Sequence, residues 1–409
     1  MDNNCATSGN SGPKIRSDCQ ITLFLKSEGG ISTDLKSKVE TLYGESIRTL
    51  CSEMLGYFGI ENAHLAIDDS GGLPFVIMAR VEAVVKKLTA SEMSFLPDFP
   101  EANKYSTLRD RFRFSRLYLP GNTPSLMINA GLHSADGIIL DLEDSVAPDR
   151  KDEARILVRN ALRQLDFRGA ERMVRINQGD RGMDDLDSVI PHNVNLILIP
   201  KCETAENVKE VAMRIRDIKA GSGSDNPVYL MPIIESAMGV EMAFDIARAD
   251  ESVVALAVGL EDLTADMGVR RTNEGNETLY ARTRIVNAAR AARIQPIDSV
   301  FPDVGDMEGL RRNVAVSKSL GFEGMGCIHP RQVAVIRQGF APEQEEIEKA
   351  RKIVLSYEDA LSKGLGVVAL GSKMIDPPVV ARAMKAIDLA VRLGLLDSGW
   401  RDESSAVVN

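Results

Sequence analysis

From position 116 onward, short apolar runs rich in β-branched residues alternate with stretches whose apolar positions recur at the 3.6-residue helical period. The runs RLYLP, GIILDL, RMVRIN, NLILIP, PVYLMPII, VVALAVG, QPIDSVF and GMGCIH predict eight strands. The segments PSLMINAGL, residues 149–165, TAENVKEVAMRIRDI, VEMAFDIARA, LYARTRIVNAARAA, MEGLRRNVAVSKSL and RQVAVIRQGF predict the helices between and after them. Eight β/α units within about 225 residues match a TIM (β/α)8 barrel, which typically takes ~250. A doubly wound sheet has fewer strands and opens on GxGxxG after the first, which is absent here.

Ahead of this region, ITLFLKS (21–27) predicts a strand and residues 35–58 carry helical spacing. HLAIDDSGGLPFVIMARVEAVVKKL reads as a strand, a DDSGG turn, a second strand and a closing helix. The expected organisation is a small α+β domain over 1–90, a linker over 91–111 and the barrel over 112–340. A C-terminal helical segment over 341–409 completes it. That last segment joins a helix, EQEEIEKARKIVLSYEDAL, to a final helix through a Gly-rich loop, GLGVVALGSKMIDPP. It exceeds what a barrel needs and reads as a lid or an oligomerisation arm.

Composition narrows the classes. Among 409 residues, 49 basic against 59 acidic give a net charge of −10, which excludes the basic footprint of a nucleic-acid binder. No run of 18 or more apolar residues occurs and the N-terminal segment lacks an apolar signal core, so neither a membrane nor export is expected. Five scattered cysteines, without a CxxC pair, argue for a reducing cytoplasmic setting and against a disulfide framework or a zinc site. The four histidines form no close pair, so a metal here would be carboxylate-bound.

A TIM barrel gathers its reactive groups at the C-terminal ends of its strands. GIILDL runs into Asp141, Glu143 and Asp144, RMVRIN ends in Arg175 and Asn177, and NLILIP leads to Lys201 and Glu203. The later strands deliver Glu235, then Glu261 and Asp262, then Asp303, then His329. Glu235 and Asp262, on successive strands, form the best pair for a hard cation that keeps waters and accepts substrate oxygens. Their bland alternative is ion pairing with Arg175 and Lys201. Arg175 suits a substrate carboxylate or an incipient oxyanion, or else a salt bridge to the acidic rim. Asp141 and Glu143 share one side of their strand and would orient metal-bound waters or Arg175 from behind; Asp144 or Ser145 could equally cap the next helix. His329 before Pro330 is a ligand contact or a structural residue.

The blocks SRLYLPGNTP, GIILDLEDSVAPDRKDEAR, VRIN, LILIPKCETAENV, IIESAMG, VGLEDLTADMG, CIHPRQV and KMIDPPVV, in this order, resemble the citrate lyase beta subunit and its HpcH/HpaI aldolase relatives, the citryl-, citramalyl- and malyl-thioester lyases. The resemblance spans about residues 112–395. It implies Mg2+ (or Mn2+) on Glu235 and Asp262, oxoacid binding by Arg175 and contact of Arg116 and Lys201 with an acyl-CoA thioester. It also implies a general acid at Asp376 on a lid that closes over a neighbouring subunit of a homo-oligomer. The activity implied is carbon–carbon cleavage of a 3-hydroxy-3-carboxy acyl-CoA to an oxoacid and a shorter acyl-CoA. Its rivals are a thioesterase on the same substrates and a non-catalytic assembly scaffold. Residues ~13–90 resemble the citrate lyase acyl carrier through SDCQITL, YGESIRTL and IDDSGGLPFVIMARVEA. That family attaches its CoA-derived group to a serine two places before an Asp; here the Asp is Asp18 and the position holds Arg16, with Ser17 one place off.

Overall fold

The computed structural model describes residues 4–223, 225–364, 368–370 and 373–401. The chain divides near residue 336 into two compact units. The first opens with a four-stranded sheet of order β1-β2-β4-β3: β1 (Cys5–Gly9), β2 (Cys19–Leu25), β3 (Ile31–Ser37) and β4 (Ala63–Asp69). Helices α1 (Glu40–Tyr57) and α2 (Pro74–Thr89) pack on it. Alternation along β2 and β4 sends Cys19, Ile21, Leu23, Ala63, Leu65 and Ile67 into one core with Ile47, Met54 and Leu55 of α1.

Three sequence expectations change here. The polar leader contains β1, an edge strand whose CATSG pattern carries no apolar alternation. The helix expected from residue 35 starts only at Glu40, because residues 31–37 pair in parallel with β4. The strand expected after DDSGG is instead the first turn of α2, with Pro74 at its first position, where a missing N–H costs nothing.

The barrel strands are β5 (Ser115–Pro120), β6 (Gly137–Asp141), β7 (Glu171–Arg175), β8 (Leu196–Ile199), β9 (Tyr229–Ile234), β10 (Ala255–Val258), β11 (Gln295–Ile297) and β12 (Met325–Cys327). All eight expected strands are present, in the order β11-β10-β9-β8-β7-β6-β5-β12. A parallel bridge between Asp298 and Met325 joins the ends, so the sheet closes as a TIM barrel. Around it run α3 (Pro124–Met127), α4 (Lys151–Gln164), α5 (Gly179–Val189), α6 (Ala205–Ser222), α7 (Ala237–Glu241), α8 (Ala243–Ala247), α9 (Leu260–Asp266), α10 (Leu279–Ala291), α11 (Met307–Leu320) and α12 (Pro330–Phe340). No described helix is long and apolar enough to cross a membrane.

The small domain is bolted to the barrel. Arg159 of α4 donates to both oxygens of Glu82 on α2 at 2.8 Å, and Arg80 of α2 bridges Asp18 (3.0 Å) and Glu153 of α4 (3.3 Å). All five side chains are buried. The expected linker is likewise held. Arg172 donates to the carbonyls of Asn103 and Tyr105, Tyr105 Oη donates to Ala170 O at 2.6 Å, and Thr107 Oγ1 donates to Glu171 Oε1 at 3.0 Å. Its irregular pattern reflects bonding to the charged base of the barrel, where polar side chains satisfy the backbone that secondary structure does not.

The second unit holds α13 (Gln344–Ser362), the hairpin β13 (Val368–Leu370) and β14 (Lys373–Ile375), and α14 (Pro377–Arg392). Val354, Ala383, Ile387 and Trp400 form its core. Part of the expected Gly-rich loop, residues 365–367 and 371–372, lies outside the described residues.

Candidate active site

The C-terminal ends of the barrel strands surround a cavity of about 450 Å³ lined by Arg116, Tyr118, Asp141, Arg175, Glu235, Asp262 and Asp298, among others. Register explains the first contact. Asp141 and Arg175 are directly paired at the ends of β6 and β7, so the guanidinium meets the carboxylate side-on. Arg175 Nε and Nη2 each donate to Asp141 at 2.7 Å. Burial alone would raise the Asp141 pKa; the bonds and charge of Arg175 outweigh it and hold the carboxyl below its ordinary range. Backbone N–H groups of Glu143 and Ser145 add to this, closing a turn around Asp141.

Arg175 Nη1 also lies 3.0 Å from Glu143, and Lys201 Nζ reaches the other Glu143 oxygen at 3.0 Å and Asp144 at 3.5 Å. Two of the five N–H donors of Arg175 are hydrogen-bonded to Asp141 and Nη1 meets Glu143 as an ion pair, which leaves N–H groups on the terminal nitrogens for a ligand. The guanidinium stands 5.4 Å from the ring centre of Tyr118, which fixes its plane. Gln178 Nε2 donates to Glu143 at 3.1 Å.

Lys201 contributes through its backbone as well. Its φ of +46° turns its N–H toward Glu235 Oε1, at 2.6 Å. The other oxygen, Oε2, lies over Gly259, where a Cβ would stand only 2.4 Å from it. Burial, then the facing charge of Asp262, push the Glu235 pKa up to about 7 against the pull of that N–H. A cation between the two carboxylates would relieve this, and two hard oxygen donors with open space in front suit an ion of the Mg2+ class. Among the described residues no group of three or more His, Cys, Asp or Glu is placed to hold a metal ion, so any ion here would rest on the two carboxylates alone.

Arg116, expected as a thioester contact, is 1 % exposed inside the barrel, two positions below Tyr118 on β5. His329 Nδ1 accepts the N–H of Arg331, and from its turn it is Gly326 and Ile328 that line the cavity. Asp376 belongs to the second unit, where its side chain caps α14 by accepting the Val379 N–H at 3.2 Å. Asp303 is tied up in a turn with Gly305 and Asp306. The acid that the seventh strand delivers to the cavity is Asp298, held by Arg282. Sequence reasoning passed over Asp298, Ser299 and Tyr118, although the strand-end rule that found Glu235 applies equally to QPIDS.

A charged barrel mouth with paired carboxylates defines a class of metal-assisted enzymes acting on small anions. Comparison then settles the family. Residues 115–330 match the family described as HpcH/HpaI aldolase/citrate lyase, and residues 10–88 match the one described as malonate decarboxylase delta subunit (MdcD). The citrate lyase subunit beta of Leuconostoc mesenteroides subsp. cremoris is 38% identical over 71% of this chain and 97% of its own. The mitochondrial citramalyl-CoA lyase of Homo sapiens is 29% identical over 76% and 96%. Protein CitE of Mycobacterium tuberculosis, solved in complex with magnesium, acetoacetate and coenzyme A, superposes with a TM-score of 0.58 at 30% identity, covering 69% of this chain and 99% of that one. The chain belongs to the HpcH/HpaI aldolase/citrate lyase family and is a lyase.

Proposed function

We propose that the chain cleaves a 3-hydroxyacyl-CoA thioester whose carbinol carbon bears a carboxylate, yielding an oxoacid and a shorter acyl-CoA, with Mg2+ held by Glu235 and Asp262. The observation that carries this reading is the placement of those two carboxylates and Arg175 around one cavity. The citramalyl-CoA lyase among the relatives, and the neighbour that binds magnesium, acetoacetate and coenzyme A, support it.

When bound, the ion would supply Lewis-acid polarisation of the carbinol oxygen and the adjacent carboxylate, with Mn2+ as a substitute. Arg175, locked by Asp141, uses its remaining N–H groups to orient that carboxylate and to hold negative charge as the oxoacid forms. Locking matters because a donor already in place costs nothing to reorganise at the moment of reaction. The carbon–carbon bond breaks as the carbinol oxygen becomes a carbonyl and its proton leaves to water. The electron pair passes to the carbon beside the thioester, which takes a proton from Asp376 on the lid of a neighbouring subunit. Lys201 and Glu143 hold the Arg175 side of the cavity in place.

The test is a side-by-side assay of citryl-CoA, citramalyl-CoA and malyl-CoA with Mg2+, detecting the oxoacid. Release of oxoacid supports the lyase; release of intact hydroxyacid and free CoA would replace it with a thioesterase.

A further inference from the structure

The interior of the barrel holds a cation that has no ion-pair partner among the described residues. Arg116 is 1 % exposed, yet among the described residues no carboxylate lies within ion-pair distance of it. Its Nη1 donates to the thioether of Met231 at 2.9 Å, a weak acceptor, and its Nε has no partner among the described residues. Its guanidinium lines the same cavity as Glu235, Asp262 and Arg175.

The strands on either side place no side chain opposite it. On β5, Arg116 and Tyr118 point to one side and Leu117 to the other. The register partners of Arg116 are Gly137 on β6 and Gly326 on β12. A Cβ at Gly137 would collide with the Met173 thioether at 2.5 Å and touch Arg116 Cγ at 3.4 Å, and one at Gly326 would collide with Val300 at 2.7 Å and crowd Tyr118 at 3.1 Å. Two glycines thus flank a long charged side chain in a layer that barrels ordinarily fill with branched apolar residues. A buried, uncompensated guanidinium is costly, and burial pushes its pKa down to about 10, still protonated at neutral pH. A methionine or leucine would fill the space at no such cost.

We propose that Arg116 is a carboxylate subsite at the inner end of the mouth cavity, and that the substrate carries a second carboxylate on a short arm from its carbinol carbon. Building on the lyase reading, this selects the citryl-type thioester and a dicarboxylic oxoacid product over the citramalyl and malyl types. One carboxylate lies with Arg175 and the metal carboxylates, the thioester leaves by the open mouth, and the remaining arm points inward to the guanidinium. Selectivity arises because an arm ending in methyl or hydrogen leaves the cation unpaired.

Arg116→Met on the full chain tests this in three ways. The unmodified chain should prefer citryl-CoA over citramalyl-CoA in kcat/KM, and the variant should lose roughly thirtyfold or more on citryl-CoA while keeping its rate on citramalyl-CoA. Calorimetric titration with Mg2+ present should show oxaloacetate binding more tightly than pyruvate, with the difference abolished in the variant. The ligand-free variant should also melt at a higher temperature than the unmodified chain, because an unpaired buried charge has been removed. A preference for citramalyl-CoA, or equal oxoacid affinities in both proteins, overturns the subsite and leaves the lyase reading standing. If no thioester is cleaved while Arg116→Met still weakens oxaloacetate selectively, the lyase reading fails and the subsite stands. A lower melting temperature assigns Arg116 a purely structural role.

Discussion

The backbone N–H of Lys201 donates to Glu235 Oε1 at 2.6 Å from a left-handed conformation. A candidate metal ligand is thus aimed by the main chain of the neighbouring strand end, with Gly259 leaving space for its other oxygen. Aim of this kind survives changes at the Lys201 side chain and is vulnerable at the glycine.

Glu235→Gln and Asp262→Asn should each abolish turnover, since a single carboxylate holds a hard cation poorly against water. Gly259→Ala should weaken Mn2+ binding by roughly ten- to a hundredfold by displacing Glu235, the range expected when the support of a ligand is lost. Lys201→Gly should leave that affinity within a few-fold. Mn2+ titration followed by electron paramagnetic resonance separates these outcomes, and full activity in excess chelator would overturn the metal assignment.

Mixing inactive Asp376→Asn with inactive Glu235→Gln subunits should partly restore turnover if the acid serves the neighbour's site. Demonstrated subunit exchange without recovery would place Asp376 in its own subunit's chemistry.

Native protein should carry no CoA-derived group on the small domain. The attachment position is Arg16, and Ser17 sits at φ +56° with its N–H bound to Ser70 O. Intact-mass measurement checks this: added mass on Ser17 would restore a carrier reading, and an unmodified chain active on free acyl-CoA would confirm its absence.

Acid should destabilise the protein in part through His192. Burial, with Arg159 and Arg163 beside it, pushes its pKa down to about 3, and Arg163 Nη1 lies 3.2 Å from its Nδ1, so the ring is held neutral. The unfolded chain binds this proton below about pH 6.5 and the folded chain does not. Stability therefore falls as pH drops from about 6.5 toward 3, by about 1 kcal/mol per pH unit from this group. Denaturant titrations of the unmodified chain and His192→Asn between pH 7 and 4 should diverge with that slope; parallel curves would remove His192 from the account.

The barrel was legible because its strands are short apolar runs and seven of the eight lead into a polar residue, so period and strand-end chemistry agreed for Asp141, Arg175, Glu235 and Asp262. What escaped were features decided by partners distant in the chain. β1 is polar and exists only because β2 offers an edge, and the linker takes its course from Arg172 and Glu171. Asp298 was lost to Asp303 because β11 spans only three residues and its end could not be placed. Arg116 entered only as a thioester contact implied by the resemblance, because a sequence shows strand position but not that both flanking strands place glycine opposite it.

The ion pairs Arg159–Glu82 and Arg80–Glu153 have a kinetic meaning. A carrier module works by tethering its cargo, so that each delivery proceeds at an effective concentration set by the length of the arm. A module clamped through buried charges onto α4 has no such reach. Under the proposed function, acyl groups would then arrive by diffusion, and flux through the barrel would follow the free thioester level instead of the occupancy of an arm.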